Sequence, residues 1–122
     1  MSLIARALKA RFKSLRKAVQ GLTWLVRTQA NARLHLIATL IVTITGLAIK
    51  LTTEQWGLLI LALTLVWIAE AINTALENIA DALYPAHHPM IGRAKDIAAA
   101  GVLLSAIGAV LIGILVLIER FA

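Results

Sequence analysis

The sequence predicts an all-α integral membrane protein, with an N-terminal amphipathic helix lying in the interface and three transmembrane helices behind it. Composition is the first ground. Hydrophobic residues fill 61% of the 122 positions and charged residues only 15%, too apolar and too weakly charged for a soluble domain. Charge placement is the second: eight of the twelve Lys and Arg stand before position 34, in a chain of formal charge +6. A basic cluster can mark a nucleic-acid surface. Beside long apolar stretches it fits the anionic cytoplasmic leaflet better, so nucleic acid is set aside as a partner. The third ground is the separation of the long apolar stretches by short polar turns.

The whole chain, 1–122, reads as one domain. Over 2–28, Ile4, Leu8, Phe12, Leu15, Val19, Leu22 and Val26 recur every three or four residues. Arg6, Lys9, Arg11, Lys13, Arg16 and Lys17 mainly fill the other positions, which is the pattern of an interfacial helix. Gly21 is a place where it could bend. The basic stretch is too long for a cleavable signal peptide. The first span is expected over 34–51, the second over 56–83 after a Thr52-Thr53-Glu54-Gln55 turn, and the third over 94–118. Between the last two, 84–93 reads as the main loop, because Pro85 and Pro89 interrupt it. The basic residues orient the chain with its N-terminus in the cytoplasm and its C-terminus outside. Trp56 reads as an interface anchor, and His35 as a boundary or packing residue. Gly101, Ser105, Ala109 and Gly113 recur every four residues, a spacing that lets helices approach closely in lipid. Three spans are few for enclosing polar groups, so self-association is expected.

The chemistry concentrates in Glu70-Ala71-Ile72-Asn73-Thr74-Ala75-Leu76-Glu77-Asn78-Ile79-Ala80-Asp81. On a helix, Glu70, Asn73, Glu77 and Asp81 fall within about 80° of arc. The stretch ahead of them, 56–69, carries no charge. Acids entering a bilayer must be paired, bound to metal or turned to a wet cavity. Carboxylate and amide oxygens suit Mg²⁺, which keeps waters and binds substrate phosphates, and an unligated, desolvated carboxylate nearby suits a general base. Lys95 and Asp96, with Arg93, stand where the loop enters the third helix, a place where a cation and helix N-terminal amides can hold phosphate. The chain has no Gly-x-x-x-x-Gly-Lys-Ser/Thr loop, which excludes a P-loop nucleotide site. With no cysteine, disulfides and thiolate metal sites are excluded as well. Phosphoryl chemistry on a substrate reached from the bilayer is one reading of this pattern. A small ion-coupled transporter, exchanging protons or cations at Glu70 and Glu77, is another. A nonenzymatic membrane protein is a third.

The 70–81 run closely resembles the signature of the prokaryotic diacylglycerol kinase family, which includes the undecaprenol kinases. Gly92-Arg93-Ala94-Lys95-Asp96 is a second match, and Gln20-Gly21-Leu22 through Asn31-Ala32-Arg33-Leu34-His35 a looser third. The resemblance implies a homotrimeric lipid kinase of the bacterial inner membrane, with active sites at subunit boundaries. It implies transfer of the γ-phosphoryl group of Mg-ATP to the hydroxyl of a lipid alcohol. Glu70 would be the base and Glu77 a metal ligand. Asn73, Glu77, Asp81, Lys95 and Asp96 would form the nucleotide site. Where the family usually has a second metal-binding glutamate this chain has Gln29, whose carbonyl can ligate Mg²⁺ without bringing charge, so weaker affinity is expected. Ala32 replaces an aromatic residue common in the family. Arg33-Leu34-His35-Leu36 and His88-Pro89 resemble the undecaprenol branch more than the diacylglycerol branch.

Overall fold

The computed structural model describes residues 2–122. They form four helices: α1 (Leu3–Thr28), α2 (Ala30–Ala48), α3 (Thr53–Leu83) and α4 (Pro89–Phe121). Three of them, α2, α3 and α4, are long and apolar enough to cross a membrane. The 31 residues of α3 and the 33 of α4 reach roughly 46 and 50 Å at 1.5 Å per residue, more than a hydrocarbon core. They run as an antiparallel pair, and α1 and α2 pack against α3. The buried apolar side chains are few and mostly small: Leu25, Ala32, Leu59, Ala62, Val66, Ala80 and Val116. Large apolar residues such as Ile37, Ile41, Ile44, Leu103, Leu104 and Leu111 lie exposed along α2 and α4. A soluble monomer rarely tolerates so much exposed apolar surface.

Each break in the helices has a local cause. Gln29 alone leaves helical geometry, with φ −105° and ψ 121°. The Arg33 guanidinium closes the end of α1 by donating to the carbonyls of Arg27 (3.0 Å) and Val26 (3.4 Å), which would otherwise lack a helical partner. α2 begins at Ala30, one turn before the expected Leu34, because this cap lets a new helix start at once. It ends at Ala48 rather than at Leu51. Lys50 takes a left-handed conformation (φ 55°), and the Leu51 amide donates back to the Gly46 carbonyl at 3.1 Å, a helix ending that usually uses glycine at the left-handed position. Gly46 leaves room for Trp56: an added Cβ would stand 2.6 Å from its ring. Trp56 therefore packs on α2, a contact its sequence position did not suggest.

α3 opens with a reciprocal cap. The Gln55 amide donates to Thr52 Oγ1 (3.2 Å), and the Thr52 amide donates to Gln55 Oε1 (3.1 Å). Gln55 Nε2 also donates to Glu119 Oε2 at 3.0 Å, and Arg120 Nε donates to the Ile49 carbonyl at 2.8 Å. These bonds clasp α2, α3 and α4 at one end of the molecule.

Two expectations are corrected. The loop is shorter than 84–93, because Pro89 opens α4 instead of breaking it. A first-turn proline loses no helical hydrogen bond, and His88 Nδ1 accepts from the Met90 amide at 3.2 Å as the cap. Gly21 does not interrupt α1. Along the small-residue stripe of α4, Gly101 and Gly113 face open space in this chain, since an added Cβ would meet nothing within 4 Å.

Candidate active site

The 70–81 run lies wholly within α3, so its polar residues share one face with burial that falls along the helix. Glu70 is 2% exposed, Asn73 7% and Thr74 3%. Glu77 is half-buried and Asp81 is exposed. Glu70 and Asp81 are separated by roughly 16 Å of rise. Asn73 Nδ2 donates to Glu77 Oε1 at 3.4 Å, and Thr74 Oγ1 donates to Glu70 Oε1 at 3.5 Å. Glu70, Asn73 and Glu77 line a cavity of about 300 Å³ with Asn31, Leu34 and His35 from α2 and Ala99 to Ala106 from α4. An apolar groove of about 220 Å³ adjoins it, sharing His35 and Ala106, and runs along Ala38, Val42, Leu59, Leu63 and Ala109.

At the head of the cavity, His35 Nε2 stands 3.7 Å from Glu70 Oε2. Both atoms are buried without a hydrogen-bond partner, and so is Asn73 Oδ1. Buried polar atoms are satisfied in the great majority of cases. Three such atoms around one cavity, two of them facing each other from α2 and α3, therefore mark a place where bonding is left to be completed. Hydrogen bonding within the chain leaves Asn73 Oδ1 free as a hard oxygen donor, next to the Glu77 carboxylate. Among the described residues, no three His, Cys, Asp or Glu side chains converge as a closed metal site. Glu77 and Asn73 fit a cation that takes its remaining ligands from water and substrate phosphates, the usual habit of Mg²⁺.

The structure brings together only part of the expected set. Lys95 forms an ion pair with Asp81, which ties the start of α4 to the end of α3. Asp96 and Arg93 are exposed beside it. Because α4 starts at Pro89, Lys95 is not at the helix N-terminal amides, which lie about a turn and a half earlier. The expected pairing of that cation with those amides is therefore not formed. Gln29 sits at the α1–α2 break, half-buried, donating through Nε2 to Thr28 Oγ1 at 3.2 Å. It is absent from the lining of the cavity that holds Glu77. His35 was the residue the sequence understated. Its distance from Glu70 along the chain hides a contact that depends on the register of α2 against α3.

An all-helical scaffold with three membrane-length helices and a buried carboxylate facing a partly polar cavity is the architecture of a membrane lipid kinase family that this chain matches. The chain belongs to the prokaryotic diacylglycerol kinase family, whose profile matches residues 16–117. Among curated relatives, the undecaprenol kinase of Bacillus subtilis strain 168 is 32% identical over 109 residues, 89% of each chain. The diacylglycerol kinase of Synechocystis sp. is 40% identical over 108 residues, 82% of this chain and 58% of that one. The diacylglycerol kinase of Escherichia coli K12 is 39% identical over 64 residues, 52% of each. Membership of a kinase family leaves the ion-coupled transporter without support.

Proposed function

We propose that this enzyme transfers the γ-phosphoryl group of ATP to the primary hydroxyl of a membrane lipid alcohol, with undecaprenol favoured over diacylglycerol. The observation that carries the reading is Glu70: a carboxylate buried within a membrane-length helix, facing a cavity that Asn73 and Glu77 line with it. Glu70 takes the proton of the lipid hydroxyl, whose oxygen forms a bond to the γ-phosphorus as the bond to the ADP oxygen breaks. Glu77 and Asn73 offer oxygen ligands for Mg²⁺, which neutralises charge on the phosphates when bound. Lys95 and Asp96, with Asp81, hold the nucleotide at the wetter end of the same face. The apolar groove beside the cavity gives the lipid chain a lateral route from the bilayer. The preference for undecaprenol is supported by the Bacillus relative, which aligns across 89% of both chains.

In this reading the chain is one domain in the bacterial inner membrane, with its N-terminus cytoplasmic. α1 lies on the membrane surface, its exposed Ile4, Leu8, Phe12 and Leu15 turned to lipid and its basic residues to headgroups. The protein assembles as a homotrimer, which covers exposed apolar surface on α2 and α4. The direct test is incubation of the purified full chain with γ-labelled ATP, Mg²⁺ and a panel of lipid alcohols. Label is expected in undecaprenyl phosphate first, and no label in any lipid would overturn the kinase reading. Gln29 is kept as a weak metal ligand supplied in the assembly. Gln29→Glu is then expected to lower the half-saturating Mg²⁺ concentration several-fold, because a carboxylate adds charge to the site. An unaltered Mg²⁺ titration would remove Gln29 from the metal site.

A further inference from the structure

We propose that His35 is the positioning residue for Glu70; this deepens the kinase reading and rests on it. Burying a carboxylate is costly unless it is paired or hydrogen-bonded, and Glu70 has little support along its own helix. Thr74 Oγ1 reaches Oε1 at a long 3.5 Å. Lys95, on the neighbouring α4, is paired with Asp81. Oε2 faces one polar group, the Nε2 of His35 at 3.7 Å, and neither atom has another partner. A small side-chain rotation closes that gap to a hydrogen bond, with the imidazole Nε2–H donating to Oε2.

The imidazole is itself held in place. Trp67 meets it edge-on, with ring centroids 6.4 Å apart. The Trp67 indole N–H donates to Thr39 Oγ1 at 3.0 Å, and Thr39 Oγ1 in turn donates to the His35 carbonyl at 2.7 Å. α2 and α3 are thus locked in register around this ring. His35 also lines both the acidic cavity and the apolar groove, so it stands where a lipid headgroup passes from one to the other. Holding Oε2 from the α2 side fixes the plane of the carboxylate. Its other oxygen, Oε1, is then kept at the angle needed to receive the hydroxyl proton.

Two variants and one spectroscopic probe test this on the purified full chain, with ATP, Mg²⁺ and the best lipid alcohol as substrates. His35→Phe keeps the ring and its contact with Trp67 but removes the donor. Misplacing a general base is expected to lower kcat about tenfold or more while KM for ATP stays within about twofold. His35→Gln restores an N–H donor and is expected to recover most of the lost kcat. In ¹⁵N spectra of histidine-labelled protein, Glu70→Gln is expected to shift the His35 ring nitrogens. Wild-type kcat in His35→Phe, equal losses in both variants, or unmoved ring nitrogens would each overturn the assignment. Active wild type with an unaffected His35→Phe would overturn this inference alone. A wild type that phosphorylates no lipid alcohol would overturn the kinase reading and this inference with it.

Discussion

The first turn of α3 and its middle bury similar groups and treat them in opposite ways. Near its start, Gln55 is 4% exposed, yet its side chain is fully engaged: Oε1 accepts from the Thr52 amide and Nε2 donates to Glu119. Some 15 residues later Glu70 is as deeply buried, and one of its oxygens bonds to nothing. Asn73 is left half-used beside it, and His35 faces it across a gap too long for a hydrogen bond. A satisfied buried polar group contributes to stability, whereas an unsatisfied one costs stability unless a ligand completes it. The first turn is therefore a fastening and the middle a site, although composition alone makes them look alike.

The sharpest way to break this contrast is to alter each of the two positions and read both stability and turnover. Glu70→Gln is expected to lower phosphoryl transfer by roughly 10³-fold, within the range general-base loss produces, with helical content and thermal midpoint unchanged or slightly raised. Wild-type turnover in that variant would end the assignment of Glu70 as base. Gln55→Leu reverses the pattern. It removes the side-chain half of the reciprocal cap and the bond to Glu119, and is expected to cost about 1–3 kcal/mol in unfolding free energy, while kcat below the melting range stays at the wild-type value. A fall in kcat without a fall in stability would show that the clasp reaches the site. The smallest effect is at Lys50. Relieving its left-handed backbone with Lys50→Gly is expected to add up to about 1 kcal/mol of stability, measured by detergent-solubilised thermal unfolding, and to leave turnover unaltered.

Much of this was legible in the residues. Apolar runs and their period located three membrane-length helices, and the three-and-four spacing of Glu70, Asn73, Glu77 and Asp81 put them on one face before any coordinates. What stayed hidden depends on pairings between helices or on the local context of one residue. Pro89 reads as a breaker until His88 is seen to cap the helix it opens. Gly46 is one glycine among seven until Trp56 is seen lying against it. The glycines of α4 suggested close packing, and within this chain Gly101 and Gly113 face open space. His35 looked peripheral because no periodicity within α2 records which residue of α3 it meets. The ion pair of Lys95 with Asp81 is hidden for the same reason, since it joins the ends of two antiparallel helices.

The near-complete enclosure of Glu70 has a consequence for fidelity. Every phosphotransferase must keep its nucleotide from being spent on hydrolysis, because solvent is always the most abundant nucleophile. With Glu70 as the base proposed above, a carboxylate only 2% exposed beside an apolar groove that shares His35 is met by an alcohol delivered from the bilayer more readily than by bulk solvent. On that proposal, selectivity against waste follows from the burial of the base.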